Sequence, residues 1–247
     1  MRDHNEQAEA LLRDASGNPV PLQGVSVRGR LTETLASVEV EQRYRNPLDH
    51  NIEAVYVFPL PIGAVLLEMT VEIAGRTLAG QVIERKSAER RYEDAITDGD
   101  TAVMVQDKGD GLYTMNLGNL LAGEQVVIRY RYAMTLPWHG DRLRFLVPTA
   151  IAPRYGDPEA AGLRPWEAPE SDLVVEYPFD LRIVVEGRLA GCELGSPTHP
   201  VSVARCATGM EVRLDRTARL DRDFVLTAVS REAVAGSVTV VNDGTAG

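Results

Sequence analysis

The feature that most constrains this chain is an apolar–polar alternation of period two, repeated in short runs along nearly its whole length. Alternation turns one face of an extended strand toward a core and the other toward water. Residues 25–31 (VSVRGRL) and 36–44 (ASVEVEQRY) read as two strands joined at 32–35. Residues 52–58 read as a third, stopped by Pro59 and Pro61, whose nitrogens carry no hydrogen for a ladder. Runs at 66–73 and 78–83 flank Ala74-Gly75-Arg76, a compact hairpin signal. Further runs fall at 102–106, 113–117, 125–134, 143–147, 181–185, 201–204, 210–214 and 224–229. Many short strands punctuated by Gly, Asn, Asp and Pro predict an all-β fold, an antiparallel β-sandwich.

One segment changes period. Ala88, Tyr92, Ala95 and Ile96 recur at i, i+4, i+7 and i+8, which is one face of a helix over about 87–98. Ser87 is placed as its N-cap, Glu89 in its first turn and Gly99 at its left-handed stop. The alanines let the helix lie close to a sheet, with Tyr92 filling the gap. Residues 156–171, rich in Pro, Gly and Glu, read as a linker. That divides an N-terminal extension (1–24) and a main sandwich (25–155) from a β-rich C-terminal extension (172–247).

Charge narrows the partners. The formal net charge is −10, and of 26 basic residues only Lys86 and Lys108 are lysines. An acidic surface repels nucleic acid and anionic lipid. Arginines alternate with apolar residues in VSVRGRL, VEVEQRYR, VIRYRY and DRLRF, so they belong to solvated strand faces rather than to a binding stripe. No apolar run is long enough to span a bilayer as a helix. The opening residues MRDHNEQAEALLRD are polar where a signal peptide is basic and then apolar, so an exported placement expects a leader outside this segment.

Catalytic chemistry finds little to work with. There is no G-x-S-x-G, P-loop or dinucleotide glycine pattern. His4, His50, His139 and His199 are dispersed and read as loop residues, not ligands. The acidic sets Asp94, Asp98, Asp100 and Asp107, Asp110 lack the ordering of a calcium loop. Glu84, Glu89 and Glu93 read as solvated helix charges. No catalytic residue, metal site or cofactor is expected.

Several short motifs stand in order: Tyr44-Arg45-Asn46-Pro47; Glu53-Ala54-Val55-Tyr56-Val57-Phe58-Pro59-Leu60-Pro61; and Ile73-Ala74-Gly75-Arg76. Glu84-Arg85-Lys86-Ser87-Ala88 comes next, with Tyr92, Ala95, Gly99 and Ala102, then Asn119-Leu120, Gly123-Glu124 and Ala152-Pro153-Arg154-Tyr155. The ordered set resembles the VIT (vault protein inter-alpha-trypsin) domain of inter-alpha-trypsin inhibitor heavy chains and of bacterial surface proteins that also carry a von Willebrand factor A domain. Ser196-Pro197-Thr198-His199-Pro200 and Asp221-Arg222-Asp223-Phe224-Val225-Leu226 resemble the stretch C-terminal to that domain in bacterial members. No D-x-S-x-S adhesion motif is present, so the chain is expected to be a fragment that stops before an A domain.

The resemblance implies a non-catalytic interaction module with a protein partner, an adjacent A domain or an extracellular protein, in an extracytoplasmic setting. Glu53, Tyr56, Phe58, Pro59, Ala88, Tyr92, Ala95 and Gly99 carry the structural motif. Glu84 and Lys86 form a strand-to-helix corner that either fixes the helix angle or contacts the partner. The alternative is a sandwich that binds carbohydrate or matrix directly, although Trp138 and Trp166 sit in separate loops. Last, a hairpin centred on residue 199 sets Cys192 opposite Cys206, within the roughly 4.4–6.8 Å Cα separation of a disulfide. A centre one residue earlier leaves them diagonal.

Overall fold

The computed structural model describes residues 8–9, 11–14, 19–20, 22–80, 85–98, 103–109, 111–148, 150–151, 179–215 and 223–231. Its spine is an antiparallel meander in which each strand buries alternate residues. β4 (Leu22–Thr32) and β5 (Leu35–Arg45) pair along their length, β11 (Gln125–Thr135) adds to β5, and β7 (Val65–Ile73) adds to β11. β8 (Arg76–Ala79) returns beside β7 through Ala74 and Gly75, both at positive φ (53° and 69°), as a two-residue hairpin of right-handed twist requires. Val27, Val38, Val40, Val71, Ile128 and Tyr132 face inward from this sheet.

A second sheet covers that face. β6 (Ile52–Pro59) lies between β10 (Leu112–Leu120) and β2 (Leu11–Asp14), with β9 (Val103–Gly109) and β3 (Pro19–Val20) at the edges. Tyr56 and Phe58 point from β6 into the sandwich, where Phe58 meets Tyr130 at a ring-centroid distance of 4.7 Å and Tyr56 meets Tyr44 at 5.9 Å. The opposite face of β10 carries the helix α1 (Arg85–Thr97). At Gly118 any Cβ would overlap Ile96 Cδ1, so a bare backbone lets the helix settle onto the sheet.

The helix starts two residues before the expected Ser87, which is therefore inside α1 and not its N-cap, and Glu89 falls beyond the first turn. Ala88, Tyr92, Ala95 and Ile96 are half-buried, as their shared face requires. The stop at Gly99 lies outside the described residues.

Two findings depart more widely from the sequence reading. β15 (Phe179–Glu186) runs parallel to β4, from Phe179 opposite Val25 to Glu186 opposite Thr32, and extends the same eight-stranded sheet. β18 (Gly209–Leu214) and β17 (Val201–Arg205) continue it outward. The described part of the C-terminal extension thus shares a sheet with the main sandwich, and the expected linker at 156–171 lies outside the described residues.

The hairpin around residue 199 does not form. β16 (Glu193–Gly195) pairs instead with β19 (Phe224–Val229), which joins β13 (Arg142–Val147) and β12 (Trp138–His139) in a four-stranded sheet. Ser196 Oγ accepts from the His199 backbone N–H, and Thr198 Oγ1 accepts from Val225 N–H, so the turn is tied to β19 and not folded back on β16. Cys192, just before β16, and Cys206, just after β17, consequently flank strands of different sheets, and both are free thiols.

Candidate functional site

The motif residues of β6 are builders of the core. Tyr56 and Phe58 are fully buried and stack at 5.0 Å, Phe58 stacks on Tyr113 at 5.4 Å, and Pro59 ends the strand in the interior. Tyr44 O–H donates to Gln42 Oε1 at 2.8 Å, a buried polar pair amid the rings. Burial pushes the Tyr56 phenol well above its usual 10, and the nearby Tyr130 and Tyr44 push in the same direction. Glu53, at the open end of the same strand, is exposed. Burial comes first and the Glu53 charge second in raising the Tyr92 phenol to about 12, and the Tyr92 hydroxyl lies over β10, 3.2 Å from where a Cβ on Gly118 would stand. The corner offered by Glu84 and Lys86 cannot be read in the same way: Glu84 and the Lys86 side chain lie outside the described residues.

Asn46, which the sequence places only as a residue of the Tyr44–Pro47 motif, is a joint between loops. Its Nδ2 donates to the His50 and Leu121 carbonyls, both at 3.0 Å, its Oδ1 accepts from Leu48 N–H, and it is fully buried. Glu124 accepts from Leu121 N–H at 2.9 Å beside it. The scattered motifs around Asn46, Asn119-Leu120 and Gly123-Glu124 therefore meet at one loop junction. The signal was an Asn followed by Pro at a strand end, where an Asn side chain substitutes for missing backbone partners.

On the outer face of the eight-stranded sheet the alternating arginines find carboxylates across the strands. Arg129 bridges Glu41 (2.6 Å) on β5 and Glu72 (2.9 Å) on β7, and Arg131 pairs with Glu68 (2.9 Å). Arg30 pairs with Glu186 across the parallel junction, and Glu211 receives both Arg182 and Arg213. Desolvation pushes the Glu41 carboxyl up, but hydrogen bonds and charge from Arg129 and Arg43 outweigh it and hold the group below its usual 4.5. The face is a solvated ladder of neutralised charge.

At one end of this face the ladder gives way to aliphatic side chains. Val65 stands opposite Ala133, which stands opposite Ser37, and Leu35 stands opposite Thr135, all on the outer side. Leu35 (47%), Val65 (60%), Leu67 (51%) and, in the β6–β7 loop, Ile62 (75%) are exposed. A bulge at Leu67 breaks the β7–β11 register there. Among the described residues no three His, Cys, Asp or Glu side chains gather as a metal site. The chemistry on offer is apolar contact with a charged rim.

The comparisons with known proteins agree with this frame. The profile of the vault protein inter-alpha-trypsin domain matches residues 22–132. The human protein mono-ADP-ribosyltransferase PARP4 is 34% identical over 149 residues, covering 60% of this chain and 9% of that protein. The rat von Willebrand factor A domain-containing protein 5A is 27% identical over 233 residues, covering 90% of this chain and 28% of that protein. This chain therefore spans a small part of the length of the relatives it matches. In fold it is similar to a Legionella pneumophila protein described as a putative nutrient binding protein, with a TM-score of 0.51 at 11% identity over 90% of this chain and 71% of that one. With the sandwich, the aromatic β6 strand and the Asn46 junction in place, residues 22–132 are the part of this chain that matches the vault protein inter-alpha-trypsin (VIT) domain.

Proposed function

We propose that this chain is a non-catalytic interaction module of a longer protein and that it works by docking protein, foremost a von Willebrand factor A domain in the same polypeptide. The observation that carries the reading is the alignment over 90% of this chain with a protein named for such a domain, of which the chain accounts for 28%. The exposed Leu35, Ile62, Val65 and Leu67 support it, because they give a protein partner apolar surface to cover. The large apolar residues exposed among the described ones are all aliphatic, Leu, Ile or Val, which gives the carbohydrate-binding alternative no aromatic platform.

The test is association of this chain with a separately expressed A domain from its own longer polypeptide, measured by calorimetry. Saturable 1:1 binding supports the reading. Its absence at millimolar concentration refutes docking, and turnover of any substrate that a single substitution abolishes refutes the non-catalytic part. An extracytoplasmic location is a separate proposal that rests on the resemblance to inhibitor heavy chains and surface proteins. Fractionation of the source cells tests it, and a signal confined to the cytoplasm refutes it.

A further inference from the structure

β17 is the last strand on one side of the eight-stranded sheet. It pairs antiparallel with β18, without a bulge, from Val201 opposite Leu214 to Arg205 opposite Met210. One residue beyond each end of that register, Asp215 N–H donates to the Pro200 carbonyl and Cys206 N–H to the Gly209 carbonyl, both at 3.0 Å. Bonded and non-bonded pairs alternate along an antiparallel ladder. Ser202 and Ala204 are therefore the residues bonded to β18, while Val201, Val203 and Arg205 turn their N–H and C=O groups out of the sheet. Among the described residues nothing meets those groups.

The edge also lacks the devices that keep sheets apart. Residues 201–205 (VSVAR) hold no proline, lysine or bulge, and the one charge, Arg205, stands at the end. Ser202, Val203, Ala204 and Arg205 are exposed. Val203 lies on the core-facing side, opposite the fully buried Val212, yet it is 38% exposed because no further described strand flanks it.

The pattern of free groups selects the occupant, because the three outward residues are symmetric about Val203. A second copy laid antiparallel about a twofold axis through Val203 sets Val203 opposite Val203 and Val201 opposite Arg205. Every outward N–H and C=O of both edges is then bonded, whereas moving the axis by one residue leaves Arg205 or Val201 unpaired. No like charges face each other, and Val203 meets its own copy as an apolar pair on the core side. We propose that β17 is a self-pairing edge through which two copies of this chain join their eight-stranded sheets into one continuous sheet. A strand pair this short covers on the order of a few hundred Å², below the roughly 1,000 Å² of a stable interface, so the dimer is weak. The formal net charge of −10 on each copy opposes it further, and added salt should strengthen it.

Sedimentation velocity and amide exchange by NMR on this 247-residue chain, between about 10 μM and 1 mM, test the pairing. A monomer–dimer equilibrium is expected. At the upper concentration the Val201, Val203 and Arg205 amides should exchange at least about threefold more slowly, while Ser202 and Ala204, already bonded to β18, should not change. Val203→Pro removes the central N–H without breaking a bond to β18, and Val203→Lys places a charge on the axis. Each should abolish the dimer and leave the circular dichroism of the monomer unchanged. A chain that stays monomeric to 1 mM overturns the proposal, as does a dimer that survives both variants or leaves those three amides unprotected. Protection of the same amides at every dilution in the longer polypeptide assigns the edge to a strand of that polypeptide and also overturns it.

Discussion

Gly29→Ala, alone and with Ile183→Val, probes the junction between the VIT residues and the C-terminal strand. A Cβ at Gly29 would stand 2.5 Å from Ile183 Cδ1 but 3.7 Å from Cγ1 and Cγ2. Carbon atoms rest about 3.5–4.0 Å apart, so the whole clash lies with one terminal methyl. Overpacking of this kind costs about 1–3 kcal/mol. Replacing a strand glycine by alanine returns about 0.5–1 kcal/mol of conformational entropy. The single variant should therefore lose about 0.5–2 kcal/mol. Ile183→Val removes the offending methyl and, at a fully buried site, costs about 1 kcal/mol by itself. In the double variant the clash is gone while the entropy gain remains, so it should be no less stable than Ile183→Val, a coupling of about 1–3 kcal/mol equal to the clash itself. Urea denaturation followed by far-UV circular dichroism measures all four corners of the cycle. Losses that simply add, within about 0.5 kcal/mol, would refute the register of β15 against β4.

Three further outcomes are expected. Tyr92→Ala should cost about 2 kcal/mol, toward the low end for an aromatic because the ring is only half-buried, and an unchanged thermal midpoint would show that the helix is not packed by this face. Because the folded Tyr92 phenol lies near 12, above its usual 10, its contribution is intact below pH 10 and fades as pH rises toward 12. Tyr92→Phe should therefore blunt the alkaline loss of stability in a pH series of denaturation curves. Arg129→Met should cost about 1 kcal/mol or less at pH 7. Glu41, depressed in the folded state, stabilises above its unfolded pKa and stops doing so as pH falls through the folded one, so the difference between wild type and variant should shrink progressively as pH falls below 4.5. Alkylation of the denatured, unreduced protein should modify both Cys192 and Cys206, and a mass lacking both labels would restore the bridge.

Long strands were legible because one face is buried along most of their length. β11, with Val126, Ile128, Tyr130 and Tyr132 inward and arginines between, could not be misread, and β19 was placed at its observed limits. Strands of two to four residues, such as β3, β12 and β16, are too short to show a period, and their partners lie far away in sequence. The parallel pairing of β4 with β15 left no local trace either: both strands alternate, and nothing in alternation names a neighbour. The Cys192–Cys206 pairing is not formed for the same reason: the turn and the β19 run are both visible in the sequence, but nothing local shows that β19 captures the turn. At the aliphatic end of the outer face the run Val65-Leu66-Leu67 breaks the alternation, and that interruption is the visible sign of the bulge and of the exposed face beside it.

The parallel junction also sets an order of events during synthesis. β4 is finished at Thr32, but its partner along that edge is complete only at Glu186, 186 − 32 = 154 residues later. At about 5–20 residues per second, ribosomes need roughly 8–30 s to deliver it. Through that interval β4 has β5 on one side and an open backbone on the other, within a segment able to close most of its own hairpins. The nascent protein therefore passes through a stage with a long unpaired edge, of the sort that recruits chaperones or neighbouring chains. Pausing translation between residues 132 and 179 should raise aggregation far more than a pause placed after β19 is out of the exit tunnel.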